Sequence, residues 1–302
     1  MLSQQEIEAF DRDGYLLVED AISPEQLAVM REATAALIDQ SRTMTTSDHR
    51  FDLDDGHGPN NPRLTRIKLP HKLNRSAYWD PLQNSKMTEV LNTLLGPNTM
   101  LQTTKLNTKA PGGGQAVEWH QDWAFYPHTN DTMLAIGLML EDVDEANGPL
   151  QVIPGSHKGP VLAHTNKDGV FCGAVDPEDP DFDYDKAVTL TGKAGSMSVH
   201  HVRMLHGSSP NNSDRNRYIL FYECRAADAW PLFGSAATIG MAAMGQQKLW
   251  DEMHDTVITG EFTAVPRCEA VPVRLPLPPA PDAGSIFKTQ KTGGAKSVYA
   301  AE

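Results

Sequence analysis

Glu118-Trp119-His120-Gln121-Asp122-Trp123 is the stretch on which the reading of this chain turns. It closes a run from Thr103 to Trp123 in which Gly112-Gly113-Gly114 separates two segments of strand-like character. On a strand, successive side chains alternate between faces, so His120 and Asp122 are expected to project the same way, roughly 7 Å apart at the backbone. An imidazole and a carboxylate so placed converge on one ion.

A second imidazole completes a two-histidine, one-carboxylate set, which holds non-haem Fe(II) and leaves positions open for oxygen and a co-substrate. His206 is the candidate. It follows a strand-like run from Gly195 to Leu205; Pro210 to Asp214 supplies turn chemistry, and Tyr218 to Cys224 reads as the returning strand. Antiparallel pairing about that turn is expected to set Arg217 across from His206, where its planar fork can grip a carboxylate in two places. Residue 217 would share a face with Ile219 and Phe221, which favours it over Arg215 as the anchor.

The order His-x-Asp, a distal His206-Gly207-Ser208 and an arginine eleven residues later resembles the phytanoyl-CoA dioxygenase family of Fe(II)/2-oxoglutarate oxygenases, which includes ectoine hydroxylase. Leu94-Leu95-Gly96-Pro97, Asn147-Gly148-Pro149-Leu150 and Ile153-Pro154-Gly155-Ser156-His157-Lys158-Gly159 extend the likeness in family order, over roughly residues 3–230. The resemblance implies a double-stranded β-helix, a cupin-like jelly roll, mainly β with supporting α-helices. It implies His120, Asp122 and His206 as metal ligands, with Fe(II), 2-oxoglutarate and O2 as cofactor and co-substrates. The reaction implied is hydroxylation of a small molecule with release of succinate and CO2. Related halogenases have a small residue in place of the carboxylate, so Asp122 favours hydroxylation. Motif spacing aligns Lys105 and Leu138 with co-substrate-lining positions of the family and Lys68 with a basic one, and Ser208 is expected to add a hydroxyl to the carboxylate that Arg217 grips. Beside the ligands, Trp123 and Tyr126 are expected to wall the substrate pocket, and Arg225 and Trp230 to reach towards it.

Composition bounds the partners. A formal charge of −13 argues against nucleic acid or an anionic membrane surface, both of which reward a basic face. The three cysteines, Cys172, Cys224 and Cys268, lack CxxC spacing and suggest neither a disulfide framework nor a thiolate zinc site. With no basic-then-apolar leader, no eighteen-residue apolar run and no peroxisomal ending, a cytoplasmic protein with a small-molecule substrate is expected.

Along the chain, Ser3-Gln4-Gln5-Glu6 and Ser23-Pro24-Glu25-Gln26 carry capping-box spacing and open two helices, with a strand at 15–18 between them. A loop is expected over 41–61 and a helix from Asp80-Pro81 to Gly96. Strands are expected at 100–108, 116–123, 133–142, 150–153, 187–190, 196–205 and 217–224, an acidic surface loop at 169–186, an Ala/Met-rich helix at 235–253, and a wrapping or frayed end over 271–302. The organisation expected is one domain over 1–302: helical support to residue 99, a β-helix core at 100–225, and a cover and tail from 226. His200 shares parity with His206 but would lie about 20 Å away if both sit on one strand, so it reads as structural.

Two other classes compete. A non-catalytic cupin-like binding protein of small molecules or metal should show an incomplete ligand set. A zinc hydrolase needs an added acid beside three ligands; Glu118 is the only close acid in the sequence, and it is not read as filling that role.

Overall fold

The computed structural model describes residues 2–113, 115–232, 251–273, 277–280 and 285–299. In chain order the elements are α1 (Gln4–Asp13), β1 (Tyr15–Val18), α2 (Pro24–Ser41), β2 (Phe51–Leu53), β3 (Leu64–Lys68), the short helices α3 (Pro70–Leu73), α4 (Arg75–Tyr78) and α5 (Asp80–Gln83), and α6 (Lys86–Leu95). The strands β4 (Thr99–Lys109), β5 (Val117–His120), β6 (Met133–Met139), β7 (Leu150–Val152), β8 (Val188–Leu190), β9 (Met197–His201), β10 (His206–Ser208), β11 (Arg217–Ala226) and β12 (Val257–Thr259) follow. A C-terminal helix spans Ile286–Gly293. Most of the helix expected at 235–253 lies outside the described residues.

Local chemistry sets the helix ends. Ser3 and Ser23 each accept the backbone N–H three residues on, while Glu6 and Gln26 return a bond to the cap's own N–H. Gly14 ends α1 at φ +81°, and a Cβ there would stand 2.3 Å from the His157 ring, so only glycine fits. The single helix expected from Asp80 divides, because Ser85 turns extended and caps α6 afresh through Met87 N–H.

Two antiparallel sheets form a jelly roll. The larger runs β1-β9-β6-β11-β4-β3-β2, with β12 against β4; the smaller runs β5-β10-β7-β8. Three strands before residue 99 therefore join the large sheet, where the sequence reading foresaw mainly helical support. The expected strand 196–205 breaks after His201: the chain turns and re-enters as β10 in the other sheet.

Strand parity then sorts the large sheet. Ile136, Leu138, Leu220, Tyr222, Met197 and Val199 face outward and bury against Met30 and Leu37 of α2 and Met87, Val90 and Leu91 of α6. Residues of opposite parity, among them Lys105, Ile219, Phe221 and His200, face the small sheet and line an internal cavity. Leu138 thus belongs to the helix-facing core and not to the co-substrate wall suggested by motif spacing. Among the described residues no helix is long and apolar enough to cross a membrane.

Leu138→Ala should consequently destabilise the fold by about 2–5 kcal/mol, the cost of a buried leucine cavity. A denaturant titration will show that loss, while the requirement for any ligand of the internal cavity stays as in the parent protein.

Candidate active site

His120 and His206 sit directly opposite each other where β5 pairs with β10. The ring centroids are 4.1 Å apart. Each ring is turned by its own backbone: His120 Nδ1 lies 2.8 Å from the Glu118 carbonyl and His206 Nδ1 2.9 Å from that of Met204. A carbonyl only accepts, so Nδ1 carries the proton in both rings and each Nε2 presents a lone pair. Burial, with His120 and His200 nearby, pushes the His206 pKa well below the ordinary histidine value and keeps that ring neutral.

Asp122 arrives by a different route from the one expected. Strand β5 stops at His120, and a 3-10 turn over Asp122–Ala124 swings the carboxylate inward. Gln121 fixes this turn: its N–H donates to His164 Nε2, its amide donates to the carbonyls of Pro160 and Arg203, and its oxygen accepts Leu162 N–H. Asp122 carboxylate oxygens then stand 3.7 Å from His120 Nε2 and 3.8 Å from His206 Nε2. One ligand atom from each of His120, Asp122 and His206 lies within 4.8 Å of the others, a spacing that one metal ion can span. Burial opposes ionisation of Asp122, but the charge of Lys105 leads the groups that outweigh it and hold the carboxyl well below its usual range.

Two neighbours escaped the sequence reading. His200, placed far away on a presumed continuous strand, has its ring 4.4 Å from that of His206 and its Nε2 3.5 Å from Asp122, because the turn after His201 folds the two histidines onto facing sheets. It is fully buried, with no hydrogen-bond partner on either nitrogen. Glu223 is a second buried acid, so Glu118 is not the nearest one. Lys105 Nζ bridges them, 2.8 Å from Glu223 and 3.8 Å from Asp122, and the Tyr126 hydroxyl donates to Glu223. Burial acts against the Lys105 charge, yet Glu223 and Asp122 raise its pKa above the ordinary lysine value.

At the other end of the cavity, Arg217 pairs in register with Lys109 and not, as foreseen, with His206. Both are buried, at 2 % and 1 % exposure. Lys109 Nζ donates to the Ser208 carbonyl at 3.1 Å, to Ser208 Oγ at 2.7 Å and to the Ser209 carbonyl. Arg217 Nε has no partner, and burial brings the guanidinium down to about 9. Like charges directly opposite on a ladder oppose folding unless an anion lies between them. Ser208, Arg217, His206, His120 and Asp122 line one cavity with Lys105 and Ile286. Because Ser208 Oγ accepts from Lys109, its own proton is free to be donated.

Other candidates lie elsewhere. Trp123 is buried among Met133, Val202, Ala226 and Ala229, and its indole N–H donates to the Pro272 carbonyl, so it lies outside the lining of the cavity at the ligand cluster. Arg225 spends its guanidinium on the carbonyls of Ala226, Ala227 and Ala229 at the end of β11. Trp230 packs on Phe262 and donates to Thr263. Lys68, bonded to Asp52 at 2.7 Å, and Tyr126 border a second, outer cavity that meets the first at Lys105, Asp122 and Ile286. Of the wrapping or frayed end expected, the described part carries the C-terminal helix, whose Gln290 donates to the Glu118 and Gly173 carbonyls and accepts Glu118 N–H. The Glu118 carboxylate accepts Ser297 Oγ and Val298 N–H, away from the metal-ligand cluster.

Comparison with known proteins agrees with this geometry. The chain is 34 % identical over 298 residues to a probable alpha-ketoglutarate-dependent hypophosphite dioxygenase of Stutzerimonas stutzeri, covering 96 % of this chain and 98 % of that one. It is 26 % identical over 237 residues to an ectoine dioxygenase of Bordetella parapertussis, covering 73 % and 74 %. The crystal structure of EctD from S. alaskensis with 2-oxoglutarate and 5-hydroxyectoine superposes with a TM-score of 0.62 at 25 % identity, covering 75 % of this chain and 77 % of that one. The phytanoyl-CoA dioxygenase (PhyH) family model matches residues 10–219, more than half of the chain, and the protein belongs to that family.

Proposed function

We propose that His120, Asp122 and His206 hold the Fe(II) of this 2-oxoglutarate-dependent dioxygenase, which hydroxylates a small molecule with release of succinate and CO2. The observation that carries the assignment is the convergence of two proton-free Nε2 atoms and one ionised carboxylate beside a cavity lined by the buried Arg217. Fe(II) on this face supplies the capacity to activate O2, one atom of which leaves in succinate and the other in the product. The protein's own part is to orient the ligands, bind the co-substrate and exclude water. Arg217, with Lys109 behind Ser208, takes the far carboxylate of 2-oxoglutarate: the guanidinium offers a fork, Ser208 a hydroxyl proton, and Lys109 holds that hydroxyl in place. The anion in turn relieves the repulsion between the two cations. Lys105, tethered by Glu223, holds Asp122 ionised.

The carboxylate at 122 opposes halogenation, and the complete ligand set opposes a purely binding role. Glu223 does not convert the site to a zinc hydrolase, because Lys105 and Tyr126 already engage its carboxylate.

Purified protein should convert 2-oxoglutarate to succinate only with Fe(II) and O2, and His206→Ala should abolish both this turnover and the thermal stabilisation given by Ni(II). Metal-supported activity that persists without O2 would refute the assignment. Arg217→Ala and Lys109→Met should each raise the 2-oxoglutarate requirement, by about 10- to 100-fold for a lost charge-assisted contact of about 1.5–3 kcal/mol. Metal affinity, read from the same melting curves, should hold. An unaltered requirement in Arg217→Ala would return the anchoring role to Lys105. With metal chelated away, succinate and 2-oxoglutarate should still raise the melting temperature of the parent protein, since either dicarboxylate neutralises the Arg217–Lys109 pair.

A further inference from the structure

The large sheet presents His200 to the inner cavity from β9, in register with Tyr15 of β1 and Ala135 of β6. Its side chain is fully buried, and neither ring nitrogen bonds to a described residue. An imidazole, neutral or charged, carries at least one N–H, and a buried donor without an acceptor costs free energy that an apolar side chain would not. The surroundings would accept an apolar residue: the Phe221 ring stands 6.5 Å away, edge on, and Ile219 lines the same cavity. A histidine at this point calls for a polar partner.

Asp122 is within reach of being that partner. His200 Nε2 lies 3.5 Å from Asp122 Oδ2, a few tenths of an ångström beyond the usual N–H···O length. Lys105 Nζ approaches the other oxygen, Oδ1, at 3.8 Å. The two groups come from β9 and β4, which flank the β6–β11 pair in the large sheet, so the carboxylate is approached from two sides. Gln121 fixes the backbone of the turn that carries Asp122, and this leaves the rotation of the carboxylate to be set by its neighbours. Lys105 and the Tyr126 hydroxyl both converge on Glu223, so the pull from that side is towards β4 and β11. A donor at Oδ2 opposes it.

We infer that His200 is a positioning residue of the metal site: its Nε2–H donates to Asp122 Oδ2 and sets the rotation in which the carboxylate faces the ligand atoms of His120 and His206. The inference rests on the reading of His120, Asp122 and His206 as the metal ligands. It gives His200 no ligand role and asks of it only a proton on Nε2. The Glu118 and Met204 carbonyls orient the two imidazoles, and His200 does for the carboxylate what they do for the rings.

Ni(II) binding to the full-length protein, read by calorimetry, tests this without turnover. His200→Phe fills the space with no donor, His200→Gln keeps an N–H near the position of Nε2, and His200→Asn carries one nearer to Nδ1. His200→Phe and His200→Asn should bind Ni(II) about 10- to 100-fold more weakly than the parent, the range for a lost outer partner of a metal ligand, and His200→Gln should recover most of that loss. The contrast between the two amides carries the test even where the phenyl ring packs poorly. In an Asp122→Ala background, His200→Phe should cost nothing further, because the residue acts through that carboxylate. A folded His200→Phe that binds Ni(II) as the parent does, or a His200→Gln that loses as much as His200→Asn, overturns the inference. So does a further loss in the Asp122→Ala background, which would make His200 a ligand in its own right. Failure of the ligand reading is separable, because it shows in the parent protein and in His206→Ala, with His200 untouched.

Discussion

Two backbone carbonyls, those of Glu118 and Met204, decide the chemistry of this protein. By taking the Nδ1 protons of His120 and His206 they fix both tautomers, so that two lone pairs point at Asp122 from paired strands of the small sheet. Reverse either tautomer and the ring offers a proton where an ion needs an electron pair. The rest of the architecture serves that arrangement. Gln121 locks the turn that delivers Asp122, and the large sheet, backed by α2 and α6, provides the rigid interior against which the ligands are set.

A second constraint is electrostatic. The interior face of the large sheet carries Lys105, Lys109 and Arg217, while the acids near them, Asp122 and Glu223, lie towards one end. Desolvated cations with no acid beside them raise the energy of the empty protein, and a ligand of opposite sign recovers that cost on binding. The asymmetry gives the cavity a direction, with Arg217 and Lys109 at one end and the histidines at the other.

Much of this was legible in the sequence, and the failures have physical causes. The capping boxes at Ser3 and Ser23 and the order of the main strands could be read from local chemistry, as could the grouping of His120, Asp122 and His206. Long-range register could not. His206 pairs with His120, and Arg217 with Lys109, because the chain changes sheet after His201, and a change of sheet leaves no local periodic mark. The same turn brought His200 to the site. Parity carried more information than was drawn from it: residues 217, 219 and 221 share the interior face, and two further steps along the strand give Glu223, just as Lys105 leads to Lys109. Leu138 failed for the converse reason, since its alternation with Ile136 and Leu140 marks the outer, helix-facing side. The C-terminal helix hid in a polar segment whose fold depends on contacts made by Gln290 and not on its own periodicity.

Glu118 has a double attachment with a mechanical consequence. Its carbonyl orients His120 and also accepts from Gln290, while its carboxylate clasps the backbone at Val298. The His120 ring and the C-terminal helix thus hang from one peptide unit, and whatever steadies that helix steadies the imidazole. By thermodynamic reciprocity, a ligand that orders this helix would also favour the orientation of the His120 ring.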